Sequence, residues 1–125
     1  MTLPAAPAAA TTARTEVTRR LSQRVTIGAL EDVRLLLTEL ITNALRHSDV
    51  APGDEIEVKA EVADGAIRIE VSDPGRNGPV EPREPGGGGG GGFGLYLVER
   101  LTNKWGVKRH DGTTVWAEVP VSDAR

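Results

Sequence analysis

LLLTELITNALRH, residues 35–47, is the stretch on which the reading of the whole chain turns. Leu36, Leu37, Leu40, Ile41 and Ala44, with Val33 just upstream, recur at helical spacing, so one stripe can face a core. Glu39, Asn43, Arg46 and His47 fall at i, i+4, i+7 and i+8 and stack on a neighbouring stripe. A carboxylate, an amide and two potential cations thereby line the boundary between core and solvent, where a pocket wall belongs. The plainer alternative is a solvated helix flank in which Glu39 merely pairs with Arg46. The remainder of the chain decides between them.

Upstream, residues 1–10 hold two prolines and five alanines and read as a loose lead-in, ending at most in an edge strand. Thr11 or Thr12 is a good helix cap, and Ala13, Val17, Leu21 and Val25 succeed it at four-residue spacing. Arg14, Arg19, Arg20 and Arg24 fall on the other side and read as a solvated basic face. Gly28 is expected to break this helix, the central one starting near residues 30–32 and running to Ser48.

Downstream, Ile56, Val58, Ala60 and Val62 alternate with Glu57, Lys59 and Glu61, the pattern of a half-buried strand. Asp64-Gly65 is a two-residue hairpin signal, and Ile67, Ile69 and Val71 alternate on the return strand, which delivers Asp73 to its end. Residues 74–92 cannot be regular structure: they are dense in proline and glycine and close on seven consecutive glycines, Gly86 to Gly92. An inter-domain linker is the usual meaning of such a run. The remaining segment, residues 93–125, is too short to fold alone, so the loop is internal to a single domain spanning 1–125. Long internal loops are commonly lids or binding loops. Residues 93–103 read as a third helix with Leu95, Val98 and Leu101 or Leu97 inward. Residues 105–109 and 113–119 read as a second hairpin about Asp111-Gly112, and 120–125 as a tail. The predicted class is α+β: a two-layer sandwich with about three helices on one face of a mixed, mostly antiparallel sheet.

Composition narrows the function. Of 125 residues, 38% are hydrophobic and 26% charged, enough for a packed core. Aromatic residues are only 3%, so that core must be aliphatic. A net charge of −3 argues against direct nucleic-acid binding, which needs a basic field. The absence of cysteine excludes disulfides and thiolate metal sites, and two histidines are too few for an obvious metal cluster. No apolar run is long enough to span a bilayer, and the alanine-rich start lacks a basic n-region, so a soluble cytoplasmic protein is expected, with no membrane partner.

A glycine-rich loop opening a helix suits an anion, because free N–H groups and the helix dipole both favour phosphate. The glycines do not lead into Gly-Lys-Ser/Thr, so this is no P-loop, and no strand feeds it as in a dinucleotide fingerprint. Glu39-x-x-x-Asn43, then Asp73-Pro74-Gly75, then glycines leading into Phe93-Gly94-Leu95 form a more specific series. In that order and spacing the chain resembles the Bergerat-fold (GHKL) ATPases, the superfamily of gyrase and the sensor histidine kinases. TELITNALRHS, VSDPG and FGLYLVERLTNKWGV look most like the short anti-sigma-factor serine kinases and stand-alone histidine-kinase-like ATPase domains.

The resemblance implies ATP and Mg²⁺ as cofactors and assigns roles. Asn43 offers an amide oxygen to Mg²⁺, and Glu39, one turn earlier, acts as general base. Asp73 accepts from the exocyclic amine of adenine, and Gly75 lets the base approach the backbone. Arg46 or His47 reaches a phosphate oxygen. Gly90, Gly92, Phe93, Gly94 and Leu95 belong to the glycine box of the lid, residues 74–92, which would close over the triphosphate. A last element falls at Thr113/Thr114, with Thr114 as the expected contact. The family's Asp-x-Gly-x-Gly box here runs Asp73-Pro-Gly75-Arg-Asn77-Gly78, which leaves its second glycine contact in doubt. A lid that is nearly pure glycine loses more entropy on closing, so weaker nucleotide affinity than in the relatives is expected.

Three functions compete. The first is an ATP-dependent serine/threonine kinase acting on a small regulatory protein, an anti-anti-sigma-like substrate, with a sigma factor as a second partner. The second is a nucleotide-gated binding module with little or no transfer. The third, a histidine-kinase catalytic domain, lacks a helical region carrying a phospho-acceptor histidine. The resemblance leaves a homodimer open.

Overall fold

Asp64 and Gly65 adopt the left-handed backbone (φ 53° and 76°) that a two-residue turn between twisted strands requires. In the computed structural model, which describes residues 1–47, 51, 53–74, 94–109 and 112–121, this turn joins β2 (Glu55–Ala63) to β3 (Ala66–Asp73). Their register pairs Ala63 with Ala66 and Glu57 with Ser72. The second hairpin is formed by β4 (Lys104–Arg109) and β5 (Thr113–Pro120). β1 (Thr2–Pro4) completes a five-stranded sheet in the order β1-β2-β3-β5-β4, in which every described pairing is antiparallel.

Three helices are described: α1 (Ala8–Leu21), α2 (Ile27–His47) and α3 (Gly94–Leu101). α2 lies on β3 and β5 and packs against both α1 and α3. Its stripe of Val33, Leu36, Leu37, Leu40, Ile41 and Ala44 is buried, as the helical spacing predicts. Opposite it, the buried Ile67, Ile69 and Val71 alternate with less buried residues on β3, and Val115, Ala117 and Val119 do the same on β5. The buried core contains no aromatic side chain among the described residues. The α+β sandwich expected from the sequence is the fold observed.

Several boundaries differ from expectation. The edge strand allowed for in residues 1–10 is present as β1, at residues 2–4 rather than at the end of the segment, and residues 8–10 are no lead-in but the first turn of α1. The Met1 amine donates to the Val58 carbonyl at 2.7 Å, and the Val58 N–H donates back to the Met1 carbonyl at 2.8 Å. Thr11 and Thr12 lie inside α1, whose cap position is Pro7, and the helix ends at Leu21 rather than near Val25. Gly28 does not break a helix. It sits in the first turn of α2, where N–H groups have no intrahelical partner and glycine costs little. The cap is Thr26, whose hydroxyl accepts from the Ala29 N–H at 3.2 Å. Ser48, residues 75–92 of the expected lid and 122–125 of the expected tail lie outside the described residues, whereas Pro120 closes β5.

The basic side of α1 is partly engaged. Arg14 donates to Thr38 on α2 at 2.8 Å and to Thr11 at 3.3 Å, fastening the two helices, while Arg19 and Arg20 pair with Glu16. The sheet face away from the helices is a lattice of alternating charge. One row runs Glu61, Arg68, Glu118, Lys104 across four strands, and Arg68 also bonds Glu70 at 2.8 Å.

Candidate functional site at the helix–sheet boundary

Of the site residues predicted on the central helix, Glu39, Asn43 and Arg46 lie where the 3.6-residue period puts them, on a flank of α2 beside the buried stripe. Asn43 and Glu39 are half-buried and Arg46 is exposed. Burial pushes the Glu39 carboxyl above its ordinary range, and the nearby Arg46 charge only partly offsets this. A carboxyl in that condition is a better proton acceptor than a solvated one. His47 ends α2, and its side chain lies outside the described residues.

Asp73 ends β3 and continues the alternation of Ile67, Ile69 and Val71, so its side chain takes the helix-facing side of the sheet. It is only 7% exposed. Across the ladder its partner is Thr113, the first residue of β5, which is 4% exposed. An acid and a hydroxyl therefore stand at the sheet end where apolar ladder residues would otherwise continue.

The final hairpin needs a correction. Thr114 lies on the opposite face, away from Asp73, where its hydroxyl shares a 2.7 Å hydrogen bond with Ser72. The threonine that accompanies Asp73 is Thr113. The signal is present in the sequence only jointly: period-two alternation places Thr113 with Val115, but pairing with Asp73 needs the β3–β5 register. The sequence marks Gly112 as a turn residue but does not show its close approach to the end of β3. That glycine has a φ of +123° and abuts the backbone of Asp73 and Pro74.

Gly94 is the first residue of α3; the side chain of Leu95, next in the same turn, lies outside the described residues. Gly75, Gly90, Gly92 and Phe93 also fall outside them. α2 touches both β3 and α3, so the carboxylate–amide flank, the acidic strand end and the helix that succeeds the glycines belong to one packed unit.

No group of three or more His, Asp or Glu side chains able to hold a metal occurs among the described residues. The donor set at α2 suits instead a hard ion that keeps water and phosphate oxygens and takes one amide oxygen from the protein, as Mg²⁺ does. No described helix is long and apolar enough to cross a membrane.

An open antiparallel sheet covered on one face by helices, with a half-buried Glu-x-x-x-Asn on the central helix and a buried acid at a strand end, is the arrangement expected of the nucleotide-binding α+β domain that the sequence resembles. Residues 3–119 match the model of the histidine kinase-like ATPase domain, and the chain belongs to that family. ATP binding follows from that membership in general terms. No curated protein matches the chain. Among solved structures it is similar to the RsbU and RsbW domains of Rv1364c from Mycobacterium tuberculosis, with 23% identity and a TM-score of 0.72 over 97% of this chain and 31% of that one. It is similar to the histidine kinase domain of a blue-light activated kinase from Erythrobacter litoralis, at 22% identity and a TM-score of 0.59 over 94% of this chain and 61% of that one. The catalytic domain of the histidine kinase ThkA aligns over 98% of this chain and 97% of its own length, at 15% identity and a TM-score of 0.58. These likenesses are of fold. The chain spans about a third of the mycobacterial structure and about three fifths of the Erythrobacter domain.

Proposed function

We propose that this chain is an ATP-dependent protein kinase of the anti-sigma-factor type, which phosphorylates a serine or threonine of a small regulatory protein. The observation that carries the reading is Glu39: a half-buried carboxyl, raised in basicity by burial, one helical turn from Asn43. Asp73 would accept from the adenine amine, with Thr113 beside it, and Arg46 or His47 would meet a phosphate oxygen. The backbone around Gly75, Gly90, Gly92, Phe93, Gly94 and Leu95 would complete the nucleotide contacts. Mg²⁺, when bound, neutralises charge on the triphosphate, and the Asn43 amide oxygen is the protein atom suited to hold it.

In the proposed transfer, Glu39 takes the proton of the substrate hydroxyl as that oxygen bonds to the γ-phosphorus. The bond from the γ-phosphorus to the β–γ bridging oxygen breaks, and ADP leaves. The partner class rests on the likeness of TELITNALRHS, VSDPG and FGLYLVERLTNKWGV to anti-sigma-factor kinases, with an anti-anti-sigma-like protein as substrate and a sigma factor as second partner. A cytoplasmic location belongs to the same reading, which leaves a homodimer open.

The test is Glu39→Gln, which keeps size and hydrogen bonding but cannot accept a proton. ATP affinity should stay within about tenfold while phosphotransfer to a purified anti-anti-sigma protein falls about 10²–10⁴-fold. If the parent captures the partner only with ATP but transfers nothing, the nucleotide-gated binding module replaces the kinase. Robust transfer by Glu39→Gln removes the proposed base.

A further inference from the structure

The close approach of Gly112 to the end of β3 is tighter than a turn alone demands. A Cβ built on Gly112 would stand 2.3 Å from the Asp73 carbonyl oxygen and 3.3 Å from the Cα and carbonyl carbon of Pro74. All three are backbone atoms, so no side-chain rotation relieves the clash. The φ of +123° independently restricts the position to glycine. The other hairpin supplies a natural comparison: Gly65 also has a positive φ, +76°, yet a Cβ there would meet nothing within 4 Å. The β2–β3 turn thus needs glycine for its conformation alone, whereas the β4–β5 hairpin needs it to let two backbones touch.

What the contact holds is the peptide that carries Asp73 and leads into Pro74. Asp73 is buried at the last position of β3, and Thr113, directly after Gly112, is its partner across the ladder. We propose that Gly112 is a positioning residue for nucleotide-base selection: by seating the Asp73–Pro74 backbone against the β4–β5 hairpin, it fixes the direction of the Asp73 carboxylate. This rests on the reading of Asp73 as the acceptor for adenine. A carboxylate rewards the exocyclic amine that adenine presents at that edge and repels the carbonyl oxygen that guanine presents instead. Its discrimination therefore depends on placement, and a shift on the order of 1 Å is enough to lose about 10²-fold in a positioned interaction.

The experiment titrates ATP and GTP into the full chain and into Gly112→Ala, Gly65→Ala and Asp73→Asn, with urea unfolding of each. Gly112→Ala should bind ATP about 10- to 100-fold more weakly and lose most of its preference for ATP over GTP. Gly65→Ala should lose stability through its strained turn but keep both affinity and preference. A Gly112→Ala chain that folds and retains the parent's preference overturns the positioning role, provided Asp73→Asn loses it. A preference retained by Asp73→Asn overturns the adenine reading itself. Equal losses of preference in Gly112→Ala and Gly65→Ala reduce Gly112 to a stability role. If Gly112→Ala does not fold, hydrogen exchange on the unaltered chain decides. ADP should slow the amides of Asp73 and Gly112 together, and slowing at Asp73 with none at Gly112 overturns the proposal.

Discussion

Asp73 and Thr113 stand opposite one another at the end of the β3–β5 ladder, both buried and both on the face that the helices cover. Every other described buried position on that face of the two strands is apolar: Ile67, Ile69 and Val71 on β3, Val115, Ala117 and Val119 on β5. A polar pair in such a row costs the core apolar packing and is tolerated where its groups are hydrogen-bonded; a local break in an otherwise apolar pattern marks a place where function is expected. The pair's place is the end of the ladder, directly before Pro74.

Replacing Asp73 tests that placement directly. Asp73→Asn should lose a charge-assisted hydrogen bond to adenine, about 1.5–3 kcal/mol, from ATP and ADP alike. Calorimetry on both nucleotides measures it. Unchanged affinity for either would take Asp73 out of the site.

Asn43 separates metal from nucleotide. Asn43→Ala should weaken ATP binding in the presence of Mg²⁺ far more than in its absence, since the amide oxygen is what a hard cation uses. Titrations with and without chelator read the difference. Equal weakening would make Asn43 a structural residue.

Glu39 gives a prediction about stability and pH. Its folded-state pKa is raised above the ordinary 4.5, so the folded chain holds this proton more tightly than the unfolded chain. The stability so contributed is fully present below about pH 4.5 and is lost as pH rises through the folded-state value. At neutral pH the ionised carboxylate therefore works against the fold. Glu39→Gln should raise the melting temperature at pH 7 by an amount on the order of 1–2 °C, small because water still reaches the carboxyl. The gain should vanish near pH 4. A lowered melting temperature at pH 7 would contradict the assigned direction.

The stripe of α2 predicts the largest loss of stability. Leu36 is 0% exposed, and Leu36→Ala should cost about 2–5 kcal/mol by removing packed methyl groups and leaving a cavity. Urea denaturation monitored by far-ultraviolet dichroism measures this, and a cost below about 1 kcal/mol would mean that the helix repacks.

The parts of this fold that can be read from sequence are those governed by local rules. Asp64-Gly65 specifies its turn by backbone conformation alone, and the alternation on either side of it gives β2, β3 and the terminal position of Asp73. The buried stripe of α2 and its Glu39–Asn43–Arg46 flank come from one period. β1 is harder to read because its three residues, one of them proline, become a strand only by pairing with residues 55–57. The start of α2 is obscured because Gly28 looks like a breaker, although the capping hydroxyl of Thr26 lies two residues before it. Thr113 and Thr114 are adjacent and chemically alike, so only the register with β3 shows which one accompanies Asp73.

The two tryptophans occupy different layers. Trp105 lies opposite Ala117 and packs against the core on the helix side, on the strand that α3 touches. Trp116 lies on the open face, its indole over Gly106, where a Cβ would stand 2.8 Å from the ring nitrogen, and beneath the Arg68 guanidinium at 4.3 Å. The chain thus carries two built-in optical probes. Replacing each tryptophan in turn with phenylalanine leaves a single tryptophan, excited selectively over Tyr96: one that registers what happens around α3 when a nucleotide arrives, and one that registers the solvent side of the sheet. With Trp105 as the emitter, fluorescence should respond to ADP. With Trp116 it should respond to salt, through the charge lattice that holds Arg68 in place.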